Sequence, residues 1–458
     1  MRARAAPRAR AVECEGAVSG VRRHGRAGRR RAAVRAALEA VEGGDFMHWL
    51  SCACKDDGIA SRVRVNGACA VTKARGIEAV RPLAPGEVIF SIPYSLVMET
   101  RLALDASEAD GRGEAWSSAM AMDILELKRD FDGAGASRRR WLEELPCPAP
   151  STPAMDFNEE ELAMIEDERV RAEAIRVRTA HERDVVTYAD RLAHIGASAD
   201  DFREARNVVH SRVFARRDGD CVSKLLVPGV DMVNHSATLA NAIVRVVTSP
   251  ENCQGRAATE EIADVSSSSS AACDVVTEDK YFQLVVDPDG ETIDCGDEVL
   301  ISYGAFPNDP FLMYFGFVPD DNPNDTVILF DDVDELFEFI ERDETLAAKA
   351  LRMDDDAKSR ARAVSPSALS CTIDAVDGAL IQICDGIIQI PWLDVVRARC
   401  RNILTGGRFS TKIAEDVALA RSNTLSPNAA LALAFRLHKK AILIAPLGQS
   451  LAQYEPTA

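Results

Sequence analysis

Hydrophobic and polar positions alternate along this chain in two rhythms. Between residues 45 and 100, short β-prone runs at 63–65, 68–71 and 87–92 are set off by Gly67, Gly76 and Pro85-Gly86, punctuation that ends strands in turns. Residues 46–50 read as a short opening helix. From about 102 to 205 the rhythm turns helical, with candidates at 119–127 and 159–192. The second is highly charged, and Leu162, Ile165, Val186 and Leu192 give it only a thin apolar stripe, the pattern of a solvated helix over a neighbouring unit. Strand-like text resumes at 225–228, 243–248, 281–286 and 298–302, interrupted by a serine-rich, low-complexity stretch that reads as a disordered surface loop. After Asp331, Val333, Leu336, Phe337 and Ile340 recur at helical spacing, and Ile373, Val376, Leu380, Cys384 and Ile387 do the same. A last candidate helix at 428–444 carries His438, Lys439 and Lys440 near its end. The succession predicts an α+β unit with a helical insertion and an appended all-helical domain.

Composition narrows the class. A chain of 458 residues that is 47% hydrophobic can bury a substantial core and divides into two or three structural units. No run of eighteen apolar residues occurs, so no transmembrane helix is predicted and no membrane partner is expected. The formal net charge of −18 is uneven: residues 1–35 hold eleven Arg against Glu13 and Glu15, leaving the remainder more acidic still. Such a body is a poor nucleic-acid binder and suits a basic protein substrate, or simply solubility. The Arg-rich start looks like an organellar transit peptide, with an untranslated or unstructured leader as the alternative. The twelve cysteines are scattered, only Cys52 and Cys54 lying close together, so no metal site is expected and reduced thiols are.

Two segments about seventy residues apart concentrate the chemistry. One is Val230-Asp231-Met232-Val233-Asn234-His235-Ser236; the other runs from Gly296-Asp297-Glu298 through Tyr303-Gly304 to Tyr314-Phe315-Gly316-Phe317. Each ends an apolar run with polar groups whose geometry matters. Upstream stand Ala74-Arg75-Gly76-Ile77 followed by Pro85-Gly86-Glu87, then Trp141-Leu142-Glu143-Glu144-Leu145-Pro146, Ser211-Arg212-Val213-Phe214 and Val227-Pro228. In this order and spacing they resemble the stations of SET-domain protein methyltransferases, in the branch of the Rubisco large-subunit lysine methyltransferase. That branch also includes an actin histidine methyltransferase.

The resemblance implies a SET β-fold with a knot-like core over 45–318, with the inserted helical subdomain at about 102–205 and the low-complexity loop at about 250–273. Residues 1–44 would be the leader, and 319–458 a helical substrate-binding domain. It implies S-adenosylmethionine as cofactor, held by Ala74, Arg75, Gly76, Asn234, His235 and Tyr303, and Tyr303 as the catalytic phenol. It places Arg212, Arg216, Asp231 and Phe315 near the substrate, an internal Arg–Asp ion pair being the plain alternative. The expected activity is methylation of lysine on a non-histone protein by a monomeric enzyme. The expected compartment is the chloroplast, or else cytoplasm or nucleus. Alternatives are a histidine acceptor, or a degenerate module that only binds protein partners. Ala74 stands where the family has Gly, so a left-handed backbone there would be strained. Phe315 and Ile243 stand where lysine-modifying relatives have Tyr, which makes the pocket more apolar and bears on the acceptor.

Overall fold

The computed structural model describes residues 46–103, 116–130, 135–145, 152–218, 221–248, 280–406, 408–422 and 424–454. The leader at 1–44, the low-complexity loop at 250–273 and Pro146 of the Trp-to-Pro motif lie outside them. The chain divides into two compact units. One takes the described residues up to Pro148 together with Ala180–Gly304; the other takes Ala149–Thr179 and the residues from Ala305 onwards. The cuts between the two units thus fall near 149, 180 and 305.

The described residues of the first unit form ten strands: β1 Val63–Asn66, β2 Gly76–Ala79, β3 Val88–Pro93, β4 Met98–Ala103, β5 Phe214–Asp218, β6 Cys221–Leu226, β7 Asn234–His235, β8 Ala242–Val247, β9 Tyr281–Val286 and β10 Glu298–Ile301. They form three small sheets, ordered β1-β2-β10-β7, β3-β9-β8 and β4-β6-β5. Every pairing is antiparallel except that of β10 with β7. Leu50, Ile77, Phe90, Trp141, Leu225 and Val299 lie in one buried cluster under these sheets. The strand expected at 68–71 is instead a turn, closed by hydrogen bonds from Cys69 N–H to Ala74 O (2.9 Å) and Lys73 N–H to Cys69 O (3.1 Å). A tertiary contact overrides local propensity there: the Thr72 N–H and hydroxyl both donate to the Glu298 carboxylate, at 3.0 and 2.7 Å.

The helices depart from the sequence reading in informative ways. The opening helix α1, Phe46–Cys54, outruns its predicted end. Next come α2 Trp116–Arg129, α3 Arg139–Glu143, α4 Glu159–Ile165, α5 Glu168–Thr187, α6 Ala189–Ile195 and α7 Ala199–Arg212. The single helix expected at 159–192 is therefore three. It breaks where Glu166 turns left-handed (φ 54°) and the Asp167 carboxylate takes the Arg169 N–H, starting a new helix. Leu162, Ile165 and Leu192 of the expected stripe are buried, but Val186 is 76% exposed.

In the second unit α8, Val333–Arg342, buries Val333, Leu336, Phe337 and Ile340 as predicted, and Asp332 caps it by accepting the Glu335 N–H. The following stripe holds only in part. Ile373 is exposed and Val376 bridges to Cys371, while the helix proper is Gly378–Ile381 continued by the π-turn Gln382–Ile388. The unit is also not all-helical. The apolar run β11, Val327–Phe330, pairs antiparallel with β12, Leu369–Cys371, because its buried backbone must find partners. Helices α9, Trp392–Thr405, and α10, Pro427–Ile444, pack in the same unit. Lys439 and Lys440 near the end of α10, which solvent would ordinarily claim, are 1% and 0% exposed. Lys439 Nζ donates to Asp325 (2.6 Å), and Lys440 Nζ to Asp416 (2.6 Å) and Thr411 O (2.6 Å). No described helix is long and apolar enough to cross a membrane.

In the first unit, His181 on α5 stacks on His210 of α7 with ring centroids 6.0 Å apart, and Trp116 meets His210 edge-on. Burial, reinforced by Arg206, pushes His181 down to about 2 and His210 to about 3. Both rings fold neutral, whereas the unfolded chain protonates them near pH 6.5. Their contribution to stability is complete above that pH and is lost as pH falls toward the folded values. Stability should thus drop by up to roughly 2 kcal/mol per ring between pH 7.5 and 5. Urea titrations at the two pH values would show it, and His181→Gln should flatten the dependence.

Candidate functional site

The parallel pairing of β7 with β10 sets Asn234 beside Leu300 and His235 beside Ile301. The two polar segments leave the sheet side by side, although the chain between them is long. Just beyond the strand ends the Tyr303 N–H donates to His235 Nδ1 at 3.0 Å, and the phenol donates to Val233 O at 2.8 Å. Tyr303 is thereby tied at backbone and at ring tip to the opposing segment. Burial holds the His235 pKa below its usual value, so the ring is neutral and accepts through Nδ1. Burial also pushes the Tyr303 phenol up to about 12, against the opposing pull of Arg212. At neutral pH it is a protonated donor, and it is no base.

Asp231 sits in the turn Val230–Met232 with its side chain sealed from solvent. Its Oδ2 accepts the indole N–H of Trp141 at 3.1 Å, and Arg212, at the end of α7, donates to the Asp231 backbone carbonyl at 2.6 Å. The Arg212 guanidinium lies 3.8 Å from the carboxylate, so the internal ion pair considered from sequence is present. Burial raises the Asp231 pKa, while Arg212, Trp141 and Arg75 work against it. Arg75 is anchored by Glu144 at 2.9 Å. Asp231 Oδ1 and Arg75 Nη2 are buried, and neither has a hydrogen-bond partner among the described residues. One unmatched anionic acceptor and one cationic donor suit a zwitterionic ligand better than a purely apolar one.

The Asn234 amide also holds the site together. Its Nδ2 lies within hydrogen-bond reach of Thr72 Oγ1 (3.0 Å), Arg75 O (3.1 Å) and Glu298 Oε1 (2.8 Å), so its donors are committed inside the protein and lash the 72–75 loop to β10. Gly76 is required by this close approach, not by a left-handed backbone. A Cβ there would stand 2.5 Å from Asn234 Nδ2 and 2.9 Å from Glu298 Oε1. Ala74 carries no positive φ; the left-handed residue of the loop is Lys73, at 59°. The strain anticipated at Ala74 is absent. Gly76→Ala should accordingly push Asn234 out of its lashing and cost roughly 1–3 kcal/mol. A lowered melting temperature would report it.

Arg216 lies on β5 opposite Ser223 and forms no ion pair among the described residues. Phe315 belongs to the second unit, in the π-turn Phe311–Phe315, with its ring 5.5 Å from Phe311 and 6.2 Å from Phe317. Ile243, on the edge strand β8, is 37% exposed. Thr72, Glu298, Trp141 and Glu144 were not singled out as site residues. Three of them stand inside motifs visible in the sequence, and only the fold shows what they hold. The described residues contain no cluster of three or more metal-ligating side chains.

No protein-family model matches the chain, and no curated protein matches its sequence. Solved structures do match in three dimensions. A crystal structure of the SET domain of LSMT bound to lysine and AdoHcy superposes with a TM-score of 0.53 at 17% identity, over 92% of this chain and 91% of that one. A structure of Rubisco LSMT bound to AdoMet gives 0.51 at 17% identity, over 90% and 91%. The SET domain of LSMT bound to methyllysine and AdoHcy gives 0.50 at 18% identity, over 90% of each chain. The described residues have an α+β fold similar to that of the SET domain of LSMT.

Proposed function

We propose that the protein is an S-adenosylmethionine-dependent methyltransferase that modifies lysine on a non-histone protein. The observation that carries this reading is the buried, protonated Tyr303, held by Val233 O and His235 where two strands end together. The solved structures of the same fold, holding AdoMet, AdoHcy and lysine, support it. The cofactor, when bound, supplies a methyl group on a positively charged sulfur.

The chain's own residues then have definable tasks. The Tyr303 hydroxyl donates its hydrogen bond to Val233 O, which fixes its orientation, and its oxygen would accept from the polarised methyl of the bound cofactor. Burial excludes water and favours a neutral, nucleophilic amine, since a desolvated ammonium loses its proton more readily. No protein base is required. Asp231 and Arg75 would hold the opposite charges of a zwitterionic amino-acid end, and Asn234 fixes the loop that carries Arg75. The helical second unit serves as the docking surface for the protein substrate, and the Arg-rich leader as an organellar address.

Calorimetry with S-adenosylmethionine tests the reading first. Micromolar affinity is expected, and no detectable binding would mean a module that has lost its chemistry. Amino-acid analysis of a protein labelled with radioactive cofactor should give methyllysine. Methylhistidine instead would reassign the acceptor.

A further inference from the structure

We propose that the five-residue helix α3 is the positioning element of this site: Trp141 fixes the Asp231 carboxylate, and Glu144, at the helix C-cap, fixes the Arg75 guanidinium. The inference concerns which residues hold the two charged groups in place, and it rests on the reading of that site as a cofactor pocket.

The geometry is specific. Trp141 is fully buried, and its indole donates to Asp231 Oδ2 at 3.1 Å across 90 residues of chain. A buried Trp contributes hydrophobic area wherever it sits, but a buried indole N–H needs an acceptor, and here that acceptor is a carboxylate. Three positions on, about one helical turn, Glu144 Oε2 accepts from Arg75 Nη1 at 2.9 Å while its Oε1 pairs with Arg140 at 2.9 Å. One helical turn therefore grips both the turn before β7 and the loop before β2. These two segments come from separate parts of the chain and meet at the Asp231 carboxylate, on which Arg75 acts. Neither Trp141 nor Glu144 needs to touch a ligand.

The groups facing Asp231 are Arg212 from the end of α7, Arg75 from the loop, Tyr303 beyond β10, the Gly229 backbone N–H just before its own turn, and the Trp141 indole. Of the side chains among them only Trp141 donates to a carboxylate oxygen by a close hydrogen bond, and its effect exceeds that of the Gly229 N–H. Its loss should weaken the charged form of Asp231 without removing any charge from the site. A purely packing role for Trp141 would leave that ionisation where it is.

The test uses the full chain with Trp141→Phe and, as an isosteric replacement without the N–H, 3-benzothienylalanine at position 141. Aspartate is labelled with ¹³C at the carboxyl, and the Asp231 resonance is assigned by its disappearance in Asp231→Asn. Either replacement should raise the Asp231 protonation constant roughly three- to tenfold; an unmoved titration would overturn the Trp141 assignment. Glu144→Gln is read by calorimetry with S-adenosylmethionine, and an affinity roughly tenfold weaker is expected. A change of less than twofold would overturn the Glu144 assignment. If the wild-type chain binds no cofactor, the proposed function fails, while the carboxyl titration still decides whether Trp141 governs Asp231.

Discussion

Replacing Tyr303 by Phe should lower the rate of methyl transfer by roughly a hundredfold or more, the scale seen when one preorganised polar group is removed from a dry site. The substitution deletes only the hydroxyl and its bond to Val233 O, worth about 1 kcal/mol of stability. The ring packing and the backbone hydrogen bond to His235 both survive. Cofactor affinity and melting temperature should therefore stay close to wild type while turnover collapses. The measurement is transfer of labelled methyl to protein in cell extract at saturating cofactor. Unchanged labelling by Tyr303→Phe would remove Tyr303 from the chemistry. The pH dependence gives a second check: with its phenol near 12, Tyr303 stays protonated across neutral pH, so no limb of the rate profile between pH 6 and 9 should belong to it.

The second large effect lies in the other unit. Asp416, 1% exposed, accepts from Arg436 Nη2 at 2.6 Å and from Lys440 Nζ at 2.6 Å, and both cations are themselves buried. Glu166 lies 3.6 and 3.4 Å from the same two cations but cannot replace the hydrogen bonds. Asp416→Asn keeps the shape and leaves two desolvated positive charges short of their closest anion. A cost of about 3–5 kcal/mol is expected, as for breaking any buried pair from one side. Chemical denaturation would measure it, with Glu338→Gln as the control. Glu338 pairs with Arg342 at the surface, and that change should cost less than about 1 kcal/mol. If Asp416→Asn were as mild as the control, the buried network would not be structural.

Much of this architecture was legible because hydrophobic periodicity is local. The stripe Val333, Leu336, Phe337 and Ile340 predicted a helix and buries as one. The runs at 87–92, 243–248 and 281–286 correspond to β3, β8 and β9 within about a residue. Other readings failed for the converse reason. Residues 68–71 look like a strand, yet Thr72 bonding to Glu298 folds them into a turn. Ala74 looked like the strained position, and the strain-bearing backbone is next door at Lys73.

The sequence by itself determined the alternation of strand-rich and helix-rich blocks and the two polar segments around Asn234 and Tyr303. It also held the candidate residues of the site, because each of these is a matter of residue type and short-range spacing. Only the tertiary structure decided what those residues do to one another. The parallel pairing of β7 with β10 places His235 against Tyr303, and Asn234 serves to lash a loop. Trp141 turns from a core aromatic into a partner of Asp231, and Lys439 and Lys440 vanish from the surface into carboxylates. The physical reason is common to all of them. Hydrogen bonds and ion pairs between distant segments depend on burial, which removes the competing water, and burial is a property of the assembled fold.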